Sequence, residues 1–298
     1  MRMKNLLLID AHALIHRFFH ALPPLTAADG SPAGALYGLA GLLIKIRDDG
    51  WNGGTLEYIA AAFDRPEPTF RKQEFVDYKA KRPEAAPELI SQIIAARDLF
   101  KLFGIACFEV PGFEADDIIG TLAEDFKSDQ ALSGGKIIIL SGDHDVLQLV
   151  KNDTVIADII KRGTSETTRY NEAAVKGKYG LPPAQLTDYK GLVGDPSDNI
   201  PGVKGIGPKG ARELLEKYGS LQAVLDDAAL IPGTLGKKIE GQEEIARFSK
   251  KLATIRRDVP LDIAGIEALH PAPLDRAAVR ATFERWGFKS LVNRLPES

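Results

Sequence analysis

Three short apolar runs in this chain each stop at an acid: Leu6-Leu7-Leu8-Ile9 before Asp10, Tyr58-Ile59-Ala60-Ala61-Ala62-Phe63 before Asp64, and Ile137-Ile138-Ile139-Leu140 ahead of Ser141-Gly142-Asp143. Continuous apolar runs of this length read as strands buried on both faces, which is the situation in a parallel sheet covered by helices. In such sheets the ligand crevice lies beyond the carboxyl ends of the strands, so acids placed there converge although the sequence separates them. Like charges brought together raise one another's pKa. Such a group therefore either holds protons or is neutralised by a cation.

Two further clusters extend the set. Glu114-Ala115-Asp116-Asp117 precedes Ile118-Ile119, and Asp195 and Asp198 fall in the loop Gly194-Asp-Pro-Ser-Asp-Asn-Ile-Pro-Gly202. With Asp145, two residues after Asp143, there are nine carboxylates in five clusters. Each has a plainer reading alone. Acids in a helix's first turn interact favourably with its dipole, Asp143 or Asp145 could cap a helix, and Asp195 and Asp198 suit ordinary turn chemistry. The set carries the argument that single clusters do not. Oxygen ligands suit a hard cation, Mg²⁺ or Mn²⁺, and two such ions together serve in-line phosphodiester hydrolysis.

The single cysteine, Cys107, excludes an intrachain disulfide and a zinc site built on several thiolates. No apolar run approaches the ~20 residues needed to span a bilayer, and the start leads directly into a strand, so no membrane and a cytoplasmic location are expected. The net charge of −3 looks unsuited to a polyanion partner, yet without the nine clustered acids the rest of the chain carries +6. Between Arg65 and Arg82 six bases face three acids. A cationic segment directly after an acidic strand end suits an approaching polyanion.

Periodicity predicts strands at 5–9, 57–63, 105–109, 136–140 and 153–158, and helices at 11–21, 35–48, 87–103, 115–127 and 144–150. That alternation gives an α/β class with a central, mostly parallel sheet flanked by helices, over residues 1–170. From 171 to 298 the pattern becomes helical. Within it Pro201-Gly-Val-Lys204-Gly205-Ile-Gly207-Pro-Lys209-Gly-Ala211 leads into a helix. Its glycines and the helix N-terminus could hold a phosphate beside Lys204 and Lys209, reading backbone and no base sequence; a simple helical connection is the alternative. His12, His16 and His20 share one helix face, but no Glu stands between them as in zinc proteases. Packing or substrate contact suits them better than zinc. Phe18 and Phe19 read as core, with stacking on a base as the alternative.

Many ordered runs, among them Leu8-Ile-Asp10, Arg17-Phe-Phe-His-Ala21, Phe70-Arg71, Tyr78-Lys79, Gly112-Phe-Glu-Ala-Asp-Asp117, Gly142-Asp-His-Asp145 and Gly194-Asp-Pro-Ser-Asp-Asn-Ile-Pro-Gly-Val203, give a resemblance along the whole chain. It resembles the 5′-nuclease domain of bacterial DNA polymerase I, of the flap-endonuclease superfamily. The resemblance implies a PIN-like or resolvase-like fold with a helical arch at about 69–87 and a helical C-terminal subdomain holding a helix–three-turn–helix at about 186–220. It implies a structure-selective, divalent-metal-dependent nuclease that cuts 5′-flap DNA and removes RNA primers in replication and repair. Asp10, Asp64, Glu114, Asp116 and Asp117 would form a tighter metal group, and Asp143, Asp145, Asp195 and Asp198 a second.

Lys79 and Arg82 would serve the reaction from the arch, and Arg71 would lie near the scissile phosphate. Arg17, Tyr78, Lys204, Gly205, Gly207 and Lys209 would bind DNA, with K⁺ at the glycine-rich turn. The implied partners are branched or 5′-flap DNA, RNA-primed DNA and a polymerase domain in cis or in trans. Ala11, His144 and Gly210 depart from the family's usual residues, the last in the duplex-binding turn. A non-catalytic branched-DNA-binding protein is the competing class, disfavoured because a binder gains nothing from nine mutually repelling acids. A small-domain endoribonuclease would lack both the arch and the turn.

Overall fold

The computed structural model describes residues 4–161 and 166–295. In chain order the elements are β1 Asn5–Asp10, α1 Ala11–Ala21, α2 Gly34–Asp49, β2 Leu56–Ala62, α3 Phe70–Glu74, α4 Pro87–Leu102, β3 Ala106–Phe108, α5 Ala115–Phe126, β4 Ile137–Ser141, β5 Val155–Ile160 and β6 Thr167–Tyr170. Helices follow: α6 Glu172–Tyr179, α7 Leu186–Val193, α8 Pro208–Tyr218, α9 Leu221–Asp226, α10 Thr234–Ile239, α11 Glu243–Ala253, α12 Arg276–Trp286 and α13 Lys289–Val292.

The sheet runs β3-β2-β1-β4-β5-β6, parallel from β3 to β5 with β6 antiparallel at the edge. β1 is central because its side chains serve two cores. Leu7 and Ile9 enter the layer of α1, α2, α4 and α12, whereas Leu6 and Leu8 enter that of α5. Two apolar faces on one strand are what a continuous apolar run provides. The chain leaves β1 toward β2 on one side and β4 on the other. The crevice at the carboxyl end of β1 is thus a topological switch point.

A third core, built on Leu192, Val203, Leu214, Leu215 and Val224, holds the α7–α9 region together. Between α7 and α8 the loop turns back on itself: Gly194 has φ 73°, and an added Cβ would lie 2.4 Å from the Ile200 carbonyl oxygen. Only glycine fits there without moving the backbone.

Three expectations change. The segment at 69–87 is helical only over Phe70–Glu74 and then proceeds in turns, with Lys79 at φ 55°. Residues 145–149 form a short 3₁₀ turn instead of an α-helix. The strand β6 had no periodic signal, because Thr167-Thr168-Arg169-Tyr170 is a half-exposed edge with no apolar run.

Candidate active site

A cavity of about 460 Å³ opens at the carboxyl ends of β1, β2 and β4. Asp10, Asp64, Glu114, Asp116, Asp143, Asp145 and Asp198 line it, brought together from positions as distant as 10 and 198. Lys79, Arg82, Arg17, His12, His16 and His20 complete the wall.

Strand ends and helix starts fix the acids. Asp10 caps α1, accepting from the Ala13 amide at 3.0 Å, and its second oxygen accepts from Ser141 Oγ at 2.7 Å across the β1–β4 pair. Burial pushes its pKa up to about 7, against those two bonds. Asp64, just past β2, accepts from the Ala115 amide at 2.6 Å. Burial acts to raise it, but His12, Lys79 and that amide outweigh burial and hold it below its usual value. Asp116 Oδ1 is buried with no hydrogen-bond partner among the described residues. Burial, then the neighbouring Asp117, raise its pKa well above the carboxylate range. Asp145 is pushed up to about 6 by burial, against Lys190.

Two of the nine acids do not reach the cavity. Asp117, fully buried, closes a capping box on α5 through the Glu114 amide and also accepts from the Arg256 amide at 2.8 Å. Its remaining capacity goes to Arg71, at 2.7 and 2.8 Å. With both oxygens spent on four donors, Asp117 is a structural counter-ion here and not a free ligand. Asp195 is likewise engaged, Oδ1 by Ser197 and Oδ2 by Lys190.

Arg71 and Tyr78 also depart from expectation. Arg71 is 2% exposed, and its guanidinium makes bonds to Asp117, Glu114 and the carbonyls of Leu252 and Thr254. It has no donor left for a phosphate. Instead it straps the C-terminal end of α11 and the residue after it to the start of α5. Tyr78 is 4% exposed, its hydroxyl 3.1 Å from both Glu114 Oε2 and Asp198 Oδ2. Its ring is too enclosed to stack on a base. One hydroxyl carries one proton, so it donates to one of the two acids at a time while standing between the two acid groups.

Half-buried Lys79 and exposed Arg82 both reach the cavity wall. Lys79 Nζ lies 2.8 Å from Glu114 Oε1, and Arg82 Nη2 lies 2.5 Å from Asp198 Oδ1. Burial opposes the Lys79 charge, but Glu114 and Asp198 prevail and raise its pKa. Arg17 donates to the Gly142 carbonyl. Away from the cavity, Gly207 caps α8, Lys209 stands out with its side chain 88% exposed, and Lys204 is held through its amide by Gln242. Gly205 is at φ 91°, its carbonyl accepting from Lys238 Nζ.

Sequence reasoning missed Lys190, whose signal is one lysine in the apolar turn five residues before Asp195. It also left the histidines undecided. His12 and His16 lie 4.8 Å apart between ring centres, and burial, then the neighbouring histidines, lower the His16 pKa to about 4, so that ring faces the cavity uncharged.

Among the described residues no three acid or histidine side chains are gathered as a ready ligand set; Lys79, Arg82 and Lys190 are interleaved with the acids. The donor set nevertheless fits a hard divalent cation. The unpartnered Asp116 oxygen, with Asp10, Asp64 and Glu114 on the same wall, offers it hard oxygen donors.

A switch-point sheet with acids along its carboxyl edge, joined to a helical part with a glycine-rich turn, sets the class of the chain as a resolvase-like α/β domain with a helical extension. Residues 5–180 match the family described as 5′-3′ exonuclease, N-terminal resolvase-like domain, and residues 181–277 match 5′-3′ exonuclease, C-terminal SAM fold. The chain belongs to the 5′-3′ exonuclease family. It is 38% identical to DNA polymerase I of Bacillus subtilis strain 168 over 99% of its length and 32% of the relative's. It is 37% identical to the thermostable DNA polymerase I of Thermus aquaticus, over 98% of its own length and 33% of that protein. The chain thus spans about a third of these relatives.

Among solved structures, the fold is similar to T5 D15 protein co-crystallized with metal ions, at TM-score 0.65 and 18% identity, covering 98% of this chain and 100% of that one. It is also similar to the catalytic core of Rad2 in complex with DNA substrate, at TM-score 0.61 and 17% identity, covering 99% and 91%.

Proposed function

We propose that the chain hydrolyses phosphodiester bonds in 5′-flap and RNA-primed DNA, in replication and repair, using two divalent cations, Mg²⁺ or Mn²⁺, at the acid-lined cavity. The observation that carries this reading is the meeting of seven acids with Lys79 and Arg82 on one wall. Asp10, Asp64, Glu114 and Asp116 would hold one ion, and Asp143, Asp145 and Asp198 the other. Such ions, when bound, supply Lewis-acid polarisation of the phosphoryl oxygens and an acidified water. Lys79 and Arg82 place positive charge where the phosphate gains negative charge in the transition state. Arg17 and the three histidines line the approach.

The division near residue 170 then separates catalysis from duplex grip. Lys204, Lys209 and the α8 N-terminus engage the duplex backbone, with K⁺ at the same turn. A polymerase domain in cis or in trans would be the working partner, in the cytoplasm. Incubating the chain with a labelled 5′-flap duplex, with and without Mg²⁺, tests the proposal. Mg²⁺-dependent release of the flap is expected; tight flap binding without cleavage under any divalent ion would sink it and favour the non-catalytic binder.

A further inference from the structure

Lys190 stands apart from the other bases near the cavity because it neutralises from behind. It projects from α7, its side chain 19% exposed, and places Nζ 2.5 Å from Asp145 Oδ1 and 2.7 Å from Asp195 Oδ2. Asp145 also lines the cavity, whereas Lys190 and Asp195 do not. Asp195 faces Lys190 with one oxygen and gives the other to Ser197 at 2.9 and 2.5 Å. An ammonium ion between two carboxylates cancels their repulsion, which is the service a divalent ion would perform for the same pair.

The charge count differs between the two halves of the site. Five acids, Asp10, Asp64, Glu114, Asp116 and Asp117, meet Lys79 and Arg71, leaving a formal −3. Four acids, Asp143, Asp145, Asp195 and Asp198, meet Lys190 and Arg82 among the described residues, leaving −2. The second half is therefore less negative by one, with one acid fewer against the same number of bases, and one of its two bases is a lysine already seated on two of its acids.

We infer that Lys190 is a built-in counter-cation of the second acid group, and that a divalent ion entering beside Asp145 must displace it or share that carboxylate with it. The inference rests on the proposed metal-dependent reaction. It assigns to Lys190 the task of keeping the second position weakly held until a phosphate oxygen of bound DNA adds to the ligand set. Lys190 touches no substrate in this account; it is a positioning residue.

Calorimetric titration of Mn²⁺ into the DNA-free chain tests it, comparing wild type with Lys190→Met, Lys190→Arg and Lys250→Met. Lys250, on α11, pairs with Asp188 of α7, outside the acid group. Its variant therefore controls for loss of a unit charge alone. Wild type is expected to bind one ion well and a second poorly. Lys190→Met should bind the second ion about tenfold more tightly or better, because an attached positive charge a few ångströms away is gone. Lys190→Arg and Lys250→Met should match wild type.

Melting temperature provides a second reading should Lys190→Met fold poorly. Without metal it should melt below wild type, since Asp145 and Asp195 then repel, and saturating Mn²⁺ should raise it by more than it raises wild type. A Lys190→Met chain whose second-ion affinity and Mn²⁺-induced stabilisation equal those of wild type would make Lys190 a packing residue and overturn the inference. In that case a wild-type chain that still binds a first ion and cuts the flap duplex leaves the nuclease reading standing. A wild-type chain that binds no ion overturns both.

Discussion

Replacing Asp117 with alanine separates the structural acid from the metal-binding ones. Its carboxylate is fully buried and receives Arg71 through two bonds of 2.7 and 2.8 Å, the amide of Arg256 at 2.8 Å and that of Glu114 at 3.0 Å. Removing one member of a buried ion pair leaves the other charged and desolvated, at a typical cost of about 3–5 kcal/mol. Arg71 would retain Glu114 at 3.2 Å and two backbone carbonyls, which places Asp117→Ala toward the lower end, ~3 kcal/mol. For a chain of this size that corresponds to a fall in Tm of roughly 6–12 °C.

Circular dichroism melts in EDTA, paired with Mn²⁺ titration at a temperature where the variant is folded, give the two quantities needed. The expected result is a large drop in Tm with the first ion still bound. A double-mutant cycle with Arg71→Met should show a coupling of about 2 kcal/mol or more. An Asp117→Ala chain melting within about 2 °C of wild type, but no longer binding the first ion, would refute the reasoning and return Asp117 to the ligands.

Asp116→Ala is expected to behave in the opposite way, abolishing flap cleavage while Tm in EDTA holds or rises, because a buried unpartnered oxygen is removed; a melt several degrees lower would contradict this. Lys79→Ala should lower the single-turnover rate by 10²-fold or so with duplex affinity nearly unchanged, and an equal loss of affinity would place Lys79 outside the reaction centre. Asp10 gives a pH dependence. Its folded pKa, near 7, lies above the unfolded carboxylate value, so ionising it costs stability progressively as pH rises from about 4 to 7 and fully above. Asp10→Asn should therefore stabilise the metal-free chain more at pH 8 than at pH 5, as denaturant midpoints would register. Gly194→Ala, which sets a Cβ 2.4 Å from the Ile200 carbonyl at a φ of 73°, should cost about 1–3 kcal/mol and weaken cleavage, read from melts and rates together.

Much of the sheet was legible because its signal is one-dimensional. Runs such as Ile137–Leu140 need only be continuous to imply a strand buried on both faces, and an acid at the run's end then has one place to go. The wall of the cavity followed from that rule for Asp10, Asp64 and Asp143. What the sequence does not carry is which partner a charge finds. Arg71, Lys79 and Arg82 read alike within one basic segment, yet Arg71 is sealed against Asp117 while Lys79 and Arg82 face the cavity. Charge counting cannot separate them, since burial depends on the distant Leu252–Thr254 segment closing over the guanidinium. Asp158 went unnoticed for a similar reason. Its fully buried carboxylate collects Trp51 with Asn52, and Arg169, from two distant stretches of chain, and the only trace of this in the sequence is an acid within an otherwise apolar strand.

The strap from Arg71 to the carbonyls of Leu252 and Thr254 bears on how the chain is made. Asp10 meets Ser141 across 131 positions, and Arg71 meets Thr254 across 183. At about 5–20 residues per second on the ribosome, the interval between synthesis of Asp10 and of Thr254 is roughly 10–50 s. For roughly the first half of that interval β1 lacks its β4 neighbour, and for all of it the closure behind α5 is missing, so a parallel pairing of this range cannot form early. The acids are thus kept apart in the nascent chain, and the full acid wall of the cavity is assembled late.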